Sequence, residues 1–88
     1  MMTEAEVVEQ LKREGFKSVY AMDDGPGVTY DDHTHPVTVA HVIIKGEMML
    51  TLGKEKHQLR VGDRLDIPAQ AVHAAIMGPA GCRYVIGE

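Results

Sequence analysis

The chain has 88 residues, 44% of them hydrophobic and 25% charged, which suits one small globular domain and excludes the disordered and collagen-like classes. Its formal net charge of −4, with nine Lys and Arg scattered along the chain, argues against a nucleic-acid partner, which needs a cationic patch. No apolar run approaches the roughly 20 residues of a spanning helix, and the acidic, polar N-terminus is unlike a secretory leader, so a cytoplasmic protein without a membrane partner is expected.

In chain order, residues 3–14 read as a helix. Thr3 as N-cap and Glu6 three residues on make a capping box, and Gly15 stands where a C-terminal cap belongs. Glu4 and Glu6 at the start and Lys12 and Arg13 at the end suit the helix dipole. Val7, Val8 and Leu11 form a narrow apolar stripe, so the helix is expected to act as a lid or a brace.

From Phe16 onward, short strand-like runs recur between turn residues: 17–22, 28–35, 37–44, 47–52, 55–60, 64–67, 72–77 and 82–86. The punctuation falls at Lys45-Gly46, Gly53-Lys54, Gly62-Asp63, Pro68-Ala69 and Gly78-Pro79, and nothing after Gly15 has helical periodicity. Met48, Leu50 and Leu52 alternate with Glu47, Met49 and Thr51, as in a strand with one buried face. The fold class is therefore all-β, an antiparallel sandwich or small barrel over residues 16–88 with a short N-terminal α-helix, in one domain spanning 1–88.

Chemistry concentrates in residues 33–46, where three histidines accompany a β-branched run. His33 and His35 are two apart, so on an extended chain they share a face. Cys82 is the lone cysteine, which excludes an intramolecular disulfide and a cysteine-based cluster and leaves histidine as the main candidate ligand. It reads as a small core or interface residue. His57, between Lys56 and Gln58, reads as a surface residue, and Asp31 and Asp32 as solvated loop acids.

The spacing of glycines, histidines and proline resembles the two motifs of the cupins, small jelly-roll β-barrels. The first runs Gly, five residues, His-x-His, three or four residues, Glu, six residues, Gly; Gly27, His33, His35 and Gly46 match it. The second runs Gly, five residues, Pro-x-Gly, two residues, His, three residues, Asn; Gly62, Pro68 and His73 match that. Fifteen residues separate Gly46 from Gly62, a short spacing similar to that of small single-domain cupins. The resemblance covers residues 27–77 and implies that His33, His35 and His73 converge on one divalent metal ion, for which neutral imidazole allows Zn, Ni or Fe.

Three positions depart from the pattern. Val39 stands where the motif has its Glu ligand, Gln70 where it has Gly, and Met77 where it has Asn. His41 lies two residues after Val39 and shares its face. It is a candidate fourth metal ligand, a residue lining the pocket or a structural core histidine. A two-residue step covers about 6.6 Å against a Zn–N bond of about 2.0–2.1 Å, so direct substitution needs a bulge or a shifted ion. Met77 is a candidate for the pocket wall, and Tyr30 and His41 are candidate bases.

Three functional readings follow. The first is a metal-binding cupin whose histidine-lined pocket acts on a small anionic or oxygen-rich molecule. The second is a non-catalytic module that binds or senses a small-molecule ligand, and the third a barrel with a vestigial metal site. Exposed sheet edges and limited burial in a domain of this size predict a homodimer, which the resemblance also implies.

Overall fold

The computed structural model describes residues 2–88, so Met1 of the expected domain lies outside the described residues. Helix α1 (Glu4–Arg13) forms as its end signals dictate. The Glu6 N–H donates to Thr3 Oγ1 at 3.2 Å, and the Thr3 N–H donates to the Glu6 carboxylate at 2.9 Å.

Six strands follow: β1 (Val19–Asp24), β2 (Thr29–His33), β3 (Val39–Leu52), β4 (Glu55–Arg60), β5 (Arg64–Ile67) and β6 (His73–Gly87). All pair antiparallel in one sheet of order β1-β6-β3-β4, with β2 also on β6 and β5 also on β3. Two expected turns prove to be interior to strands. β3 continues for 14 residues through Lys45-Gly46, and β6 for 15 through Gly78-Pro79. Locally these dipeptides look like turns; in the sheet, the ladder between β3 and β6 carries both strands past them.

The two long strands bend instead of ending. Their register shifts between Ile43 and Lys45 and again between Gly46 and Met48, as bulges require. The strands also approach too closely for side chains there. Gly46 (φ +76°) has no room for a Cβ against the Gly81 carbonyl, and a Cβ on Gly81 (φ +79°) would lie 2.7 Å from the Asp24 carbonyl oxygen.

The bend folds one sheet into two layers. Residues 82–87 of β6 and the first half of β3 join β1 and β5 in one layer; residues 73–77 and the second half of β3 join β2 and β4 in the other. This is the jelly-roll arrangement expected, although no ladder among the described residues closes it into a continuous barrel. Between the layers lies a cluster containing Val39, Ile43, Met48, Leu50, Ile67 and Ile86.

The outer face of the first layer is covered by α1, whose Val7 and Leu11 pack on Ala40, Val42 and Val85. Arg83 pairs with Glu4 at 2.7 and 3.0 Å, and Arg64 with Glu14 at 2.8 and 2.7 Å, so a bidentate ion pair holds each end of the helix. No residue of α1 lines the cavity between the layers. The helix is a brace, and the lid reading is set aside. It is also too short and polar to cross a membrane, as no helix here is long and apolar enough.

Candidate metal centre

His33 is the last residue of β2 and faces His73, the first of β6, across the ladder. His35 lies beyond the end of β2, in the connection to β3, so the second imidazole is placed by a loop and not by strand alternation. That loop is tied down: the Gln70 N–H donates to the His35 carbonyl at 2.8 Å. Gln70 adopts φ +67°, the one non-glycine residue at positive φ among the described residues. A side chain there costs about 1–2 kcal/mol, which explains why the motif has glycine at this position.

The two segments, forty residues apart in sequence, bring three imidazoles together. Ring centroids lie 4.1 Å apart for His33 and His73, 5.0 Å for His33 and His35, and 5.1 Å for His35 and His73. One nitrogen from each falls within 4.8 Å of the others.

Backbone carbonyls set the orientation of two of the rings. His33 Nδ1 lies 2.7 Å from the Asp31 carbonyl oxygen, and His73 Nδ1 lies 3.0 Å from that of Ala71. A carbonyl can only accept, so each Nδ1 carries the proton and each Nε2 presents a lone pair. Burial holds His73 below the usual histidine range, which keeps that lone pair available. His73 Nε2 is itself buried without a hydrogen-bond partner, a costly state that a divalent ion would relieve. The donor set therefore fits a metal ion.

The carboxylate of the motif has no replacement in this group. Val39 is 2% exposed and packs in the cluster between the layers. His41 faces inward beside it, as the alternation predicts, but stands outside the three-histidine group. Its ring is 6.5 Å from that of His73 and stacks on Tyr84 at 5.9 Å and 22°. Burial, with the neighbouring His73, pushes its pKa down to about 4, so it is neutral at pH 7. A contact with the Val39 backbone opposes that shift but falls short of a hydrogen bond, and Nδ1 is buried without a partner.

The four histidines line a cavity of about 330 Å³ between the layers, together with Met22, Tyr30, Asp31, Met48, Leu50, Ala75, Tyr84 and Ile86. Met77 is buried in the inner cluster and does not line the cavity; Met22 and Met48 do. Tyr30 and Tyr84 donate to the same Asp24 oxygen at 2.9 and 2.7 Å. Burial first, and then Asp24, raises both phenols above their ordinary range, so they remain protonated donors. Sequence reasoning missed Asp24 and Tyr84. The alternation Cys82, Tyr84, Ile86 could have turned Tyr84 inward, but nothing local links it to Asp24, sixty residues away.

Two further expectations meet the structure here. Asp31 and Asp32 are exposed as expected, but they lie on strand β2 and not in a loop, and Asp31 borders the cavity. His57 is not a surface residue: it sits opposite Leu50 on β4, in step with inward-facing Leu59, is half-buried, and has an unpartnered Nε2. Cys82 is buried, and burial pushes its thiol up to about 11, which fits an inert core residue.

The chain was compared with known proteins. A family model described as "Cupin domain" matches residues 21–85. Dimethylsulfoniopropionate lyase DddW of Ruegeria pomeroyi is 32% identical over 63 residues, covering 72% of this chain and 41% of that protein. The chain thus spans about two fifths of that relative's length. Among solved structures, a cupin superfamily protein from Desulfitobacterium hafniense superposes with a TM-score of 0.67 at 20% identity, over 81% of this chain and 77% of that one. The lyase DddQ from Ruegeria pomeroyi gives 0.72 at 23% identity, over 77% and 35%. At these identities the structures share the fold.

Proposed function

The chain belongs to the cupin family, and from that premise we propose that it binds one divalent metal ion through His33, His35 and His73 and takes a small anionic or oxygen-rich molecule into the adjoining cavity. The unpartnered His73 Nε2, buried and facing the other two rings, carries this reading. Three nitrogen donors leave coordination positions open, as in sites that bind substrate and unlike closed structural ones. Zn, Ni and Fe all suit imidazole. When bound, the ion supplies Lewis-acid polarisation of a carboxylate or carbonyl.

The chain's own groups do the rest. The Asp31 and Ala71 carbonyls hold two ligand rings in place, Met22, Met48, Leu50 and Ile86 give the cavity an apolar wall, and the Tyr30 hydroxyl stands at the cavity with its hydrogen held by Asp24 and its oxygen left as an acceptor. The relative named as a dimethylsulfoniopropionate lyase favours a small carboxylate as the molecule taken into the cavity. A second reading, binding without a chemical step, is favoured by Val39 in place of a carboxylate and by both tyrosines being committed to Asp24.

Elemental analysis tests the metal. The protein is expected to hold about one ion per chain and His73→Ala almost none; equal content in the two would end this reading. Release of dimethyl sulfide from dimethylsulfoniopropionate by the metal-loaded protein would distinguish catalysis from binding for that substrate.

A further inference from the structure

The two layers differ in what covers them. The outer face of the first carries α1, whereas the second has no helix on it. In that second layer the strands lie in the order β4-β3-β6-β2. Met48, Leu50 and His73 are buried on the inner side, so alternation turns Met49, Thr51, Val72, Ala74 and Ile76 outward. Val72 is 49% and Ile76 47% exposed, which gives this face an apolar centre of the kind that a partner covers.

Charge lies at the two edges of the face. On β4, Lys56 stands opposite Thr51, and Thr51 stands opposite Ala74 on β6. On β2, the register shift between Tyr30 and His33 leaves Asp31 and Asp32 against Ala74. One row across the sheet thus ends in a cation on one side and two acids on the other, about 14 Å apart at about 4.8 Å per strand. All three are exposed, and among the described residues none of them makes an ion pair.

Two copies with aligned strands can set these faces together in two ways, because the two-fold axis lies in the plane between them. An axis across the strands places the two β4 edges over one another and the two β2 edges over one another, so like charges face like. An axis along the strands, between β3 and β6, places Lys56 over Asp31 and Asp32 of the other copy, twice by symmetry, with the apolar centres in contact. Facing sheets pack about 10 Å apart, a gap that an extended Lys and an Asp side chain reach across.

We propose that this face binds a second copy of the chain about the axis along β3 and β6, with Val72 and Ile76 in its centre and Lys56 paired to the two acids across the interface. The contact reaches the rim of the cavity, which Asp31 borders.

Sedimentation equilibrium at micromolar concentrations tests it. The protein should be a dimer, and Ile76→Arg, at an exposed position, should be a monomer with an unchanged circular dichroism spectrum. Lys56→Glu should weaken the dimer about tenfold, since an attraction becomes a repulsion at two symmetric places. Adding Asp31→Lys and Asp32→Lys to Lys56→Glu should restore it. A monomer throughout would overturn the proposal and leave the face to a partner of another sequence. A dimer indifferent to Ile76→Arg would place the interface elsewhere. A dimer indifferent to Lys56→Glu, or one that the charge exchange fails to restore, would overturn the axis. Lys56 stands on an exposed edge, so its variants decide the matter even if Ile76→Arg does not fold.

Discussion

Successive residues in the first half of β3 serve opposite faces of the same strand. Ala40 and Val42 turn outward into an apolar seam closed by Val7 and Leu11 of α1. Val39, His41 and Ile43 turn inward, toward a cavity of about 330 Å³ and two imidazoles with unpartnered nitrogens, His41 and His73. Both faces share one ladder to β6, so their backbone hydrogen bonding is the same. The difference lies in polarity: the outer face presents apolar side chains that pack under α1, whereas the inner face carries buried polar atoms without partners beside its cavity. The outer face holds the strand in position, and the inner face is thereby free to be incompletely packed.

If that division is real, the largest effect should come from the outer face. Leu11→Ala, at a residue 1% exposed, should cost about 2–5 kcal/mol, read from the urea midpoint, with the metal content of the folded fraction unchanged. Loss of metal in step with loss of stability would show that the two faces are not separable. The inner face is probed by chelation. Removing an ion present at a hundredfold excess over its dissociation constant should lower stability by about 2.7 kcal/mol. The same treatment should leave the melting temperature of His73→Ala unmoved.

The smallest effect is expected at the clamp that holds the end of the helix. Hydrogen bonds from Arg64, and then from Gln10, lower the Glu14 carboxyl from 4.5 to about 2. A depressed carboxyl contributes stability that is present above its unfolded value and lost as pH falls through the folded one. The stability difference between the protein and Glu14→Gln should therefore shrink between about pH 4.5 and pH 2, as followed by urea unfolding at each pH. Because the pair is only partly shielded from water, raising the salt concentration should also weaken it. A difference that stays constant across this range would remove the clamp from the account of the outer face.

Much of the inner face is legible in the sequence. The resemblance of the glycine, histidine and proline pattern to the cupin motifs implies convergence of His33, His35 and His73, and the helix caps at Thr3 and Glu6 are legible because they depend on residues three apart. His57 misled because its flanking Lys56 and Gln58 are polar, while its direction is set by pairing with Leu50 on β3. The Lys45-Gly46 and Gly78-Pro79 steps misled for a related reason. Glycine serves both a turn and a bent strand, and the choice between them belongs to the partner strand.

The sequence by itself determined the alternation of faces and the capped helix, because each follows from periodicity or from short fixed spacings, while the convergence of three histidines was implied by the resemblance to the cupin motifs. Only the tertiary structure decided how β3 and β6 bend past each other, that Asp24 joins Tyr30 to Tyr84, and that His41 stands apart from the histidine cluster. Those outcomes depend on contacts between residues as much as sixty positions apart, whose geometry is fixed by the register of the folded sheet and by no local preference of the chain.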